Sequence, residues 1–171
     1  MFETPDEIGR LQDLLDASHA RSTEHLRGII NDDRTLSAGQ VAGLLTGMKV
    51  ITGATVTARG EPRISAMDGH FLHGTWTFST SRTSAKARHL AHRPAVSIAH
   101  VDGEALAVFS HGQVVELAGD ELAAVDAHWT AHYGSSPMSW GDVVMWRLEP
   151  TWMVGYAFQR AELLAERGVT A

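Results

Sequence analysis

A hydroxyl-rich segment followed by two basic residues is the part of this sequence best suited to binding chemistry. Four hydroxyl side chains fall within five residues: Thr80, Ser81, Thr83 and Ser84. Lys86 and Arg88 follow, and the pattern predicts a helix from Ser84 to His92. The start of a helix has unpaired N–H groups and the positive end of a dipole, and both favour a phosphate. The segment therefore predicts a site for a cofactor phosphate, although a solvated helix with a good N-cap explains the same residues.

Arg63 is a second candidate for the same site. It lies on a strand predicted from Pro62 to Met67, where it alternates with Ser65. If this strand pairs with the one predicted from Thr75 to Ser79, the Arg63 guanidinium reaches the same anion. A planar guanidinium matches the oxygens of a phosphate. Arg63 is therefore predicted to be a phosphate ligand.

Composition restricts the classes of function open to this chain. Its 171 residues fit one domain, with an ordinary 44% of hydrophobic and 20% of charged residues. The absence of cysteine excludes disulfides and thiolate chemistry and favours a cytoplasmic location. A net charge of −6 disfavours nucleic-acid binding. No apolar run reaches the roughly 18 residues of a membrane span, so we expect neither nucleic acid nor membrane as a partner.

Other chemistry-bearing residues are less specific. His128 and His132 lie four apart on a helix predicted from Asp120 to Tyr133, but no glutamate follows His128, so we expect no metal site. Four histidines on or near strands are candidate axial ligands for haem: His70, His73, His100 and His111. Three tryptophans are candidates for either core packing or an aromatic wall: Trp140, Trp146 and Trp152. No nucleophile-elbow, P-loop or dinucleotide-binding motif is present, and no residue is identified as catalytic.

Two capping boxes predict helices before the first strand. One helix begins at Thr4, with an apolar stripe that runs to Ile29 across a surface, and the other begins at Ser37. From Lys49 the hydrophobic period becomes two, which predicts strands. Their ranges are Val50–Thr57, Pro62–Met67, Thr75–Ser79, Ala95–Ala99, Ala105–Leu117, Asp142–Leu148 and Thr151–Phe158, the last two meeting at Pro150.

We predict a mainly β (α+β) fold in which six or seven strands form a small barrel with peripheral helices. An N-terminal helical extension covers residues 1–48, the barrel covers residues 49–158, and a helical tail covers residues 159–171. Together they are expected to form one compact domain.

The order of these motifs resembles the flavin-binding split-barrel superfamily, which includes pyridoxamine 5′-phosphate oxidases and deazaflavin-dependent reductases. The resemblance runs from Ile51 to Leu117. The segments that carry it are Ala54–Thr57 with Gly60, Pro62–Met67, Phe78–Thr80, Ser84–Leu90, Arg93–Ser97 and Gly112–Glu116. It implies an antiparallel split β-barrel, and a homodimer with two cofactor sites at the subunit interface.

The resemblance also implies roles for particular residues. The expected phosphate ligands are Arg63, Thr80, Ser84, Lys86 and Arg88. Ser65, Ala66 and Ser79 are expected to present backbone groups to the cofactor ring. A tryptophan of the partner subunit is expected to cover that ring.

The function implied is that of an oxidoreductase in which FMN passes hydride or electrons to a small organic acceptor. Three alternatives stay open: a reductase that uses the deazaflavin coenzyme F420, a barrel that binds or degrades haem, and a flavin-binding protein without catalysis. The chain ends in Tyr156–Arg160 and an acidic helix. Pyridoxamine 5′-phosphate oxidases end in a basic, tryptophan-containing substrate motif, so this difference argues against vitamin B6 oxidation.

Overall fold

A barrel of six antiparallel strands forms the centre of the computed structural model, which describes residues 2–170. The strands are β1 Met48–Val56, β2 Pro62–Leu72, β3 Thr75–Ser81, β4 Ala95–Asp102, β5 Leu106–Glu116 and β6 Val143–Ala157. They follow each other around the barrel in the order β1-β2-β3-β6-β5-β4, and β4 closes it against β1. The predicted antiparallel barrel is confirmed, with six strands.

Among residues 2–170, six α-helices surround the barrel. They are α1 Pro5–Ala20, α2 Glu24–Ile29, α3 Ala38–Leu44, α4 Ala85–His92, α5 Gly119–Tyr133 and α6 Arg160–Arg167, with a short 3-10 helix at Pro137–Ser139. Within residues 2–170, none of them is both long and apolar enough to cross a membrane.

The helix predicted to run from Thr4 to Ile29 is in fact two helices. The capping box at Thr4 and Glu7 is formed as predicted. However, Thr23 accepts a hydrogen bond from the Leu26 backbone N–H and begins α2, because a hydroxyl that caps a new helix competes with continuing the old one. α1 is also less peripheral than its mixed sequence predicts, since Leu11 and Leu15 are buried in the main core.

The two strands predicted to meet at Pro150 form one strand, β6. Pro150 lies opposite Gly112 at a register shift between His111 and Gly112 of β5. A proline is tolerated inside a strand at such an irregularity, where the ladder is already interrupted. A Cβ atom at Gly112 would lie 2.1 Å from the carbonyl oxygen of Glu149, so this close approach requires glycine.

The barrel is split along one side between β2 and β3. β1 pairs with β2 over nine residue pairs, whereas β2 pairs with β3 over only four, from Gly69↔Phe78 to Leu72↔Thr75. Beyond Phe78, β3 continues along β6 as far as Ser81↔Val143. One edge of β2, from Pro62 to Asp68, therefore has no strand partner within the described residues. We call the space beside it the gap.

A group of imidazoles lies between α5 and the outer face of the barrel. His70 of β2 is 1% exposed, and its Nδ1 is 3.1 Å from Nε2 of His128 on α5. The rings of His70 and His132 are 5.2 Å apart, and the indole of Trp129 packs on His70 at 4.6 Å. Burial, with smaller contributions from the neighbouring imidazoles, lowers the pKa of His70 to about 4. Burial also lowers the pKa of His128.

The contact needs a hydrogen on only one of the two facing nitrogens, so the two imidazoles cannot both be protonated. The Nε2 atom of His70 has no hydrogen-bond partner among the described residues, so the favourable tautomer keeps the His70 proton on Nδ1 and donates it to His128. A proton added to His70 would be buried at Nε2 without an acceptor. A proton added to His128 at Nε2 would oppose the His70 donor. The facing groups that oppose protonation are His128 and His132, and Asp68 favours it.

We predict that the free energy of unfolding decreases as the pH is lowered. The reason is that His70 takes up a proton at a higher pH in the unfolded chain than in the folded protein. The folded-state pKa of about 4 lies below the unfolded value of 6.5, so the contribution is complete above pH 6.5 and is lost as the pH falls to about 4. The shift corresponds to about 3 kcal/mol of unfolding free energy. In denaturant titrations between pH 7 and pH 4, His70→Phe should flatten this decline, whereas His25→Phe on the exposed side of α2 should not. Equal declines in wild type and His70→Phe would contradict the assignment.

Candidate functional site

The hydroxyl-rich turn joins β3 to the first turn of α4. Ser84 is the N-cap of α4, where its Oγ accepts from the backbone N–H of Ala87 at 3.2 Å and from the hydroxyl of Thr80 at 3.3 Å. Ser81 and Thr83 bond to each other at 2.8 Å. The structure thus brings Thr80 and Ser84 together and confirms the helix predicted from Ser84. The backbone N–H groups at the first two helical positions have no acceptor within the helix, so the capped turn still presents donors.

Lys86 is a cation of this turn whose ammonium group has no side-chain partner among the described residues. It is half-buried, and no carboxylate lies within salt-bridge distance of it among residues 2–170. Arg88 folds back to donate to the carbonyl of Thr83. Arg82 is held by Glu116 at 2.8 Å and by Asp142 at 3.5 Å. Lys86 and Arg88 therefore both carry a charge that no carboxylate neutralises among residues 2–170, although one Arg88 N–H is engaged by the Thr83 carbonyl.

Arg63 lies at the same end of the barrel but not in the ladder that the sequence predicted. The pairing of β2 with β3 stops at Gly69, so Arg63 is not opposite a residue of β3. It pairs instead with Thr55 of β1. Its exposed guanidinium bonds to Glu61 at 2.9 Å and to the carbonyl of Pro62 at 3.0 Å. An exposed ion pair of this kind is worth about 0.2–1 kcal/mol, so it holds Arg63 only weakly.

Ser65, Ala66 and Ser79 border the gap from its two sides. Ser65 and Ala66 pair with Gly53 and Thr52 of β1 along one edge of β2. In an antiparallel strand the backbone groups of alternate residues point to opposite edges, so some of those between Pro62 and Asp68 face the gap. Ser79 pairs with Met145 of β6, which leaves its other edge toward the gap.

An aromatic pair lies beside the gap, and of its two residues the sequence indicates Trp140 as a candidate but not Tyr133. Tyr133, at the end of α5, donates to Oδ2 of Asp68 on β2 at 2.8 Å, and burial together with this bond raises the pKa of Tyr133. Trp140 packs edge-on against Tyr133 at 5.2 Å and is 49% exposed. The following loop is tied to the turn because Arg82 N–H donates to the carbonyl of Asp142 at 2.8 Å. The spacing in the sequence contains no sign of this contact.

The other tryptophans have different positions. Trp146 is a core residue at 4% exposure, so the hypothesis of an aromatic wall does not apply to it. Trp152 is half-buried and stacks on the ring of His111 at 4.7 Å. Of the three C-terminal tryptophans, Trp140 is the one that combines high exposure with a position next to the gap.

Three histidines proposed as haem ligands are engaged in hydrogen bonds. His70 bonds to His128, His100 to the carbonyl of Val50 at 2.9 Å, and His111 to the hydroxyl of Ser97 at 2.9 Å. His73 is exposed and contacts Glu7 at 3.1 Å. Over residues 2–170, no three histidine, cysteine, aspartate or glutamate side chains are arranged to hold a metal ion.

The outer face of β1, β2 and β4 is unusually apolar for a surface. Val50, Ile64 and Val101 are 58%, 73% and 56% exposed. Between them lie the small residues Ala66 and Ala99, which both pair with Thr52, while Val50 pairs with Asp68 at one margin. We call the apolar residues of this face the outer patch. It lies on the sheet that carries the free edge of β2.

Comparisons with known proteins place this geometry in a family. The family model for pyridoxamine 5′-phosphate oxidase matches residues 38–155. None of the curated proteins compared matches the sequence.

Three solved structures share the fold. The conserved hypothetical protein Rv2991 from Mycobacterium tuberculosis is 21% identical with a TM-score of 0.65, over 77% of this chain and 91% of that one. An F420 reductase is 22% identical with a TM-score of 0.53, over 64% and 92% of the two chains. A haem-binding protein from Mycobacterium smegmatis is 24% identical with a TM-score of 0.54, over 73% of this chain and only 60% of its own.

The family match begins in α3 and ends in β6. It therefore includes all of β1 to β5, both sides of the gap and the hydroxyl-rich turn. Since this match covers more than half of the sequence, the chain belongs to the pyridoxamine 5′-phosphate oxidase family.

Proposed function

We propose that this protein is an oxidoreductase that binds FMN in the gap and transfers hydride or electrons to a small organic acceptor. The observation that carries the proposal is the free edge of β2 beside the start of α4. Together they bring hydrogen-bonding backbone close to a cation and the first N–H groups of a helix, which supports binding of a ring with a phosphorylated side chain.

The phosphate fits the residues at the start of α4. Lys86 supplies a positive charge that no carboxylate neutralises within the described residues, and the first N–H groups of the helix supply donors. The hydroxyls of Thr80 and Ser84 lie together beside them. Arg63 would complete the set by leaving Glu61, because an exposed ion pair is weak compared with a charge-assisted bond to phosphate.

The ring fits the edge of β2. The pyrimidine part of a flavin has carbonyl and N–H groups in one plane, and the backbone from Ser65 to Met67 offers complementary groups toward the gap. Trp140 lies beside this edge and offers an apolar surface for one face of the ring. When bound, FMN supplies the two-electron redox chemistry. The residues of the gap then have to orient the ring and exclude water, and no acid–base pair is required.

The outer patch is the surface that we propose for the homodimer. Exposed valine and isoleucine side chains on a sheet lose contact with water when a second copy covers them. A patch of this kind next to the free edge of β2 would also bring the second copy close to the ring. The cofactor site would then be completed by both subunits.

Ile64→Asp should weaken the dimer because it places a charge on the most exposed apolar residue of the outer patch. Ile29→Asp on α2 is a matched control, since Ile29 is also exposed, at 41%, but lies outside the patch. In sedimentation, wild type and the control should have about twice the chain mass of 18.5 kDa, and Ile64→Asp should shift toward the monomer. A wild-type monomer, or an unchanged Ile64→Asp dimer, would rule out this interface.

The deazaflavin and haem alternatives differ from the FMN proposal in the ring that the protein binds, and visible absorbance distinguishes these rings. FMN, a deazaflavin and haem have different visible spectra, so the spectrum of the protein after incubation with each ligand and gel filtration identifies which one is retained. The F420 reductase and the haem-binding protein of the same fold make both alternatives reasonable. A flavin-binding protein without catalysis would retain FMN but fail to reduce it with NADH or NADPH or to pass electrons to acceptors.

Lys86→Ala tests the phosphate site directly. Riboflavin has the same ring as FMN without the phosphate, so the ratio of their dissociation constants isolates the contribution of the phosphate. Loss of one charge-assisted bond should weaken FMN about 10- to 100-fold and leave riboflavin unchanged. Lys49→Ala, which removes the only other lysine of the chain, is the control and should change neither. Equal losses for FMN and riboflavin, or no loss, would show that Lys86 does not bind the phosphate.

A further inference from the structure

A partly buried hydrogen bond joins α4 to β1 of the barrel. The Thr55 hydroxyl lies 2.9 Å from Nδ1 of His89, in the second turn of α4. Thr55 is 2% exposed, so its hydroxyl depends on a protein partner, and leaving a buried hydroxyl without one is costly. The other contacts of α4 with the core are apolar, through Ala87 and Leu90. Apolar contacts allow a helix to slide or turn more easily than a directed bond does.

Strand β1 connects this bond to Arg63. Thr55 pairs directly with Arg63 in the β1–β2 ladder. Directly opposite residues in an antiparallel ladder have their side chains on the same face of the sheet. His89 is thus hydrogen-bonded to Thr55, the cross-strand partner of Arg63. His89 and Arg63 themselves lie on different sides of the gap.

The helix connects the same bond to Lys86. Residues three apart lie on the same face of a helix, so Lys86 and His89 share a face of α4. A rotation or tilt that broke the bond to Thr55 would move Lys86 and the first N–H groups of α4 relative to β2. The distance between the two halves of the phosphate site therefore depends on this bond.

We propose that His89 is a positioning residue that sets the spacing between Lys86 and Arg63, and so fits the gap to one phosphate group. The proposal rests on the function proposed above. His89 does not itself touch the phosphate. Its contribution is to fix α4 to β1 through Thr55, so that Lys86 on one side and Arg63 on the other reach the same anion.

The test measures the dissociation constants of FMN and riboflavin for purified variants by fluorescence quenching. His89→Ala should weaken FMN about 5- to 10-fold, as expected for one hydrogen bond, and leave riboflavin unchanged. His89→Asn should restore FMN binding, because its side-chain nitrogen stands at the same number of bonds from Cα as imidazole Nδ1. His92→Ala, on the exposed end of the same helix, is the matched control and should behave as wild type. A merely structural role for His89 would weaken both ligands together.

A double-mutant cycle with Thr55→Val makes the test independent of any loss of folding in one variant. If the bond does the positioning, the FMN-to-riboflavin ratio of the double variant should match that of either single variant. If the changes that the two single variants make to the FMN-to-riboflavin ratio multiply in the double variant, the bond between Thr55 and His89 does not set the position of α4. If wild type binds riboflavin as tightly as FMN, the phosphate site itself is wrong and this proposal falls with it. If wild type prefers FMN but His89→Ala keeps the same ratio, only the assignment of His89 is wrong.

Discussion

The short pairing between β2 and β3 is the constraint on which the rest of the structure depends. The two strands pair only between Gly69–Leu72 and Thr75–Phe78, after which β3 follows β6. A strand edge left open inside a barrel has unsatisfied backbone groups, which favour a hydrogen-bonding ligand or another chain. α4 lies across from this edge, fixed by its N-cap at Ser84 and by the bond from His89 to Thr55. The gap and the proposed phosphate site therefore depend on the same local feature.

α5 shapes the other side of the gap. Its docking uses a small second core around Trp129 and the neutral contact between His70 and His128. The end of the helix reaches Asp68 through Tyr133, and Trp140 follows. Because Asp68 lies on the free edge of β2, the histidine contact and the gap are parts of one continuous arrangement. Protonation that releases α5 would also move the aromatic pair away from the gap.

Features that depend on residues close together in the sequence could be predicted from it. Features that depend on how distant strands pair could not. The capping boxes, the helix after Ser84, and the turns at Gly60 and Gly103 follow from residue chemistry within a few positions. The bulge that lets Pro150 sit inside β6 depends on Gly112, which is distant in sequence. The same limit explains Arg63, which was expected to face β3 and instead pairs with Thr55. Tyr133 and Trp140 reach the gap only through the packing of α5.

A crystal structure of the protein with FMN is the most direct test of the claim that the gap binds a phosphorylated ring. The account predicts the ring along the β2 edge at Ser65 and Ala66. The phosphate should lie within about 3.2 Å of Lys86 Nζ and of the first N–H groups of α4, with Arg63 turned from Glu61 toward it. A ring bound elsewhere, or a phosphate that points away from α4 into solvent, would contradict it.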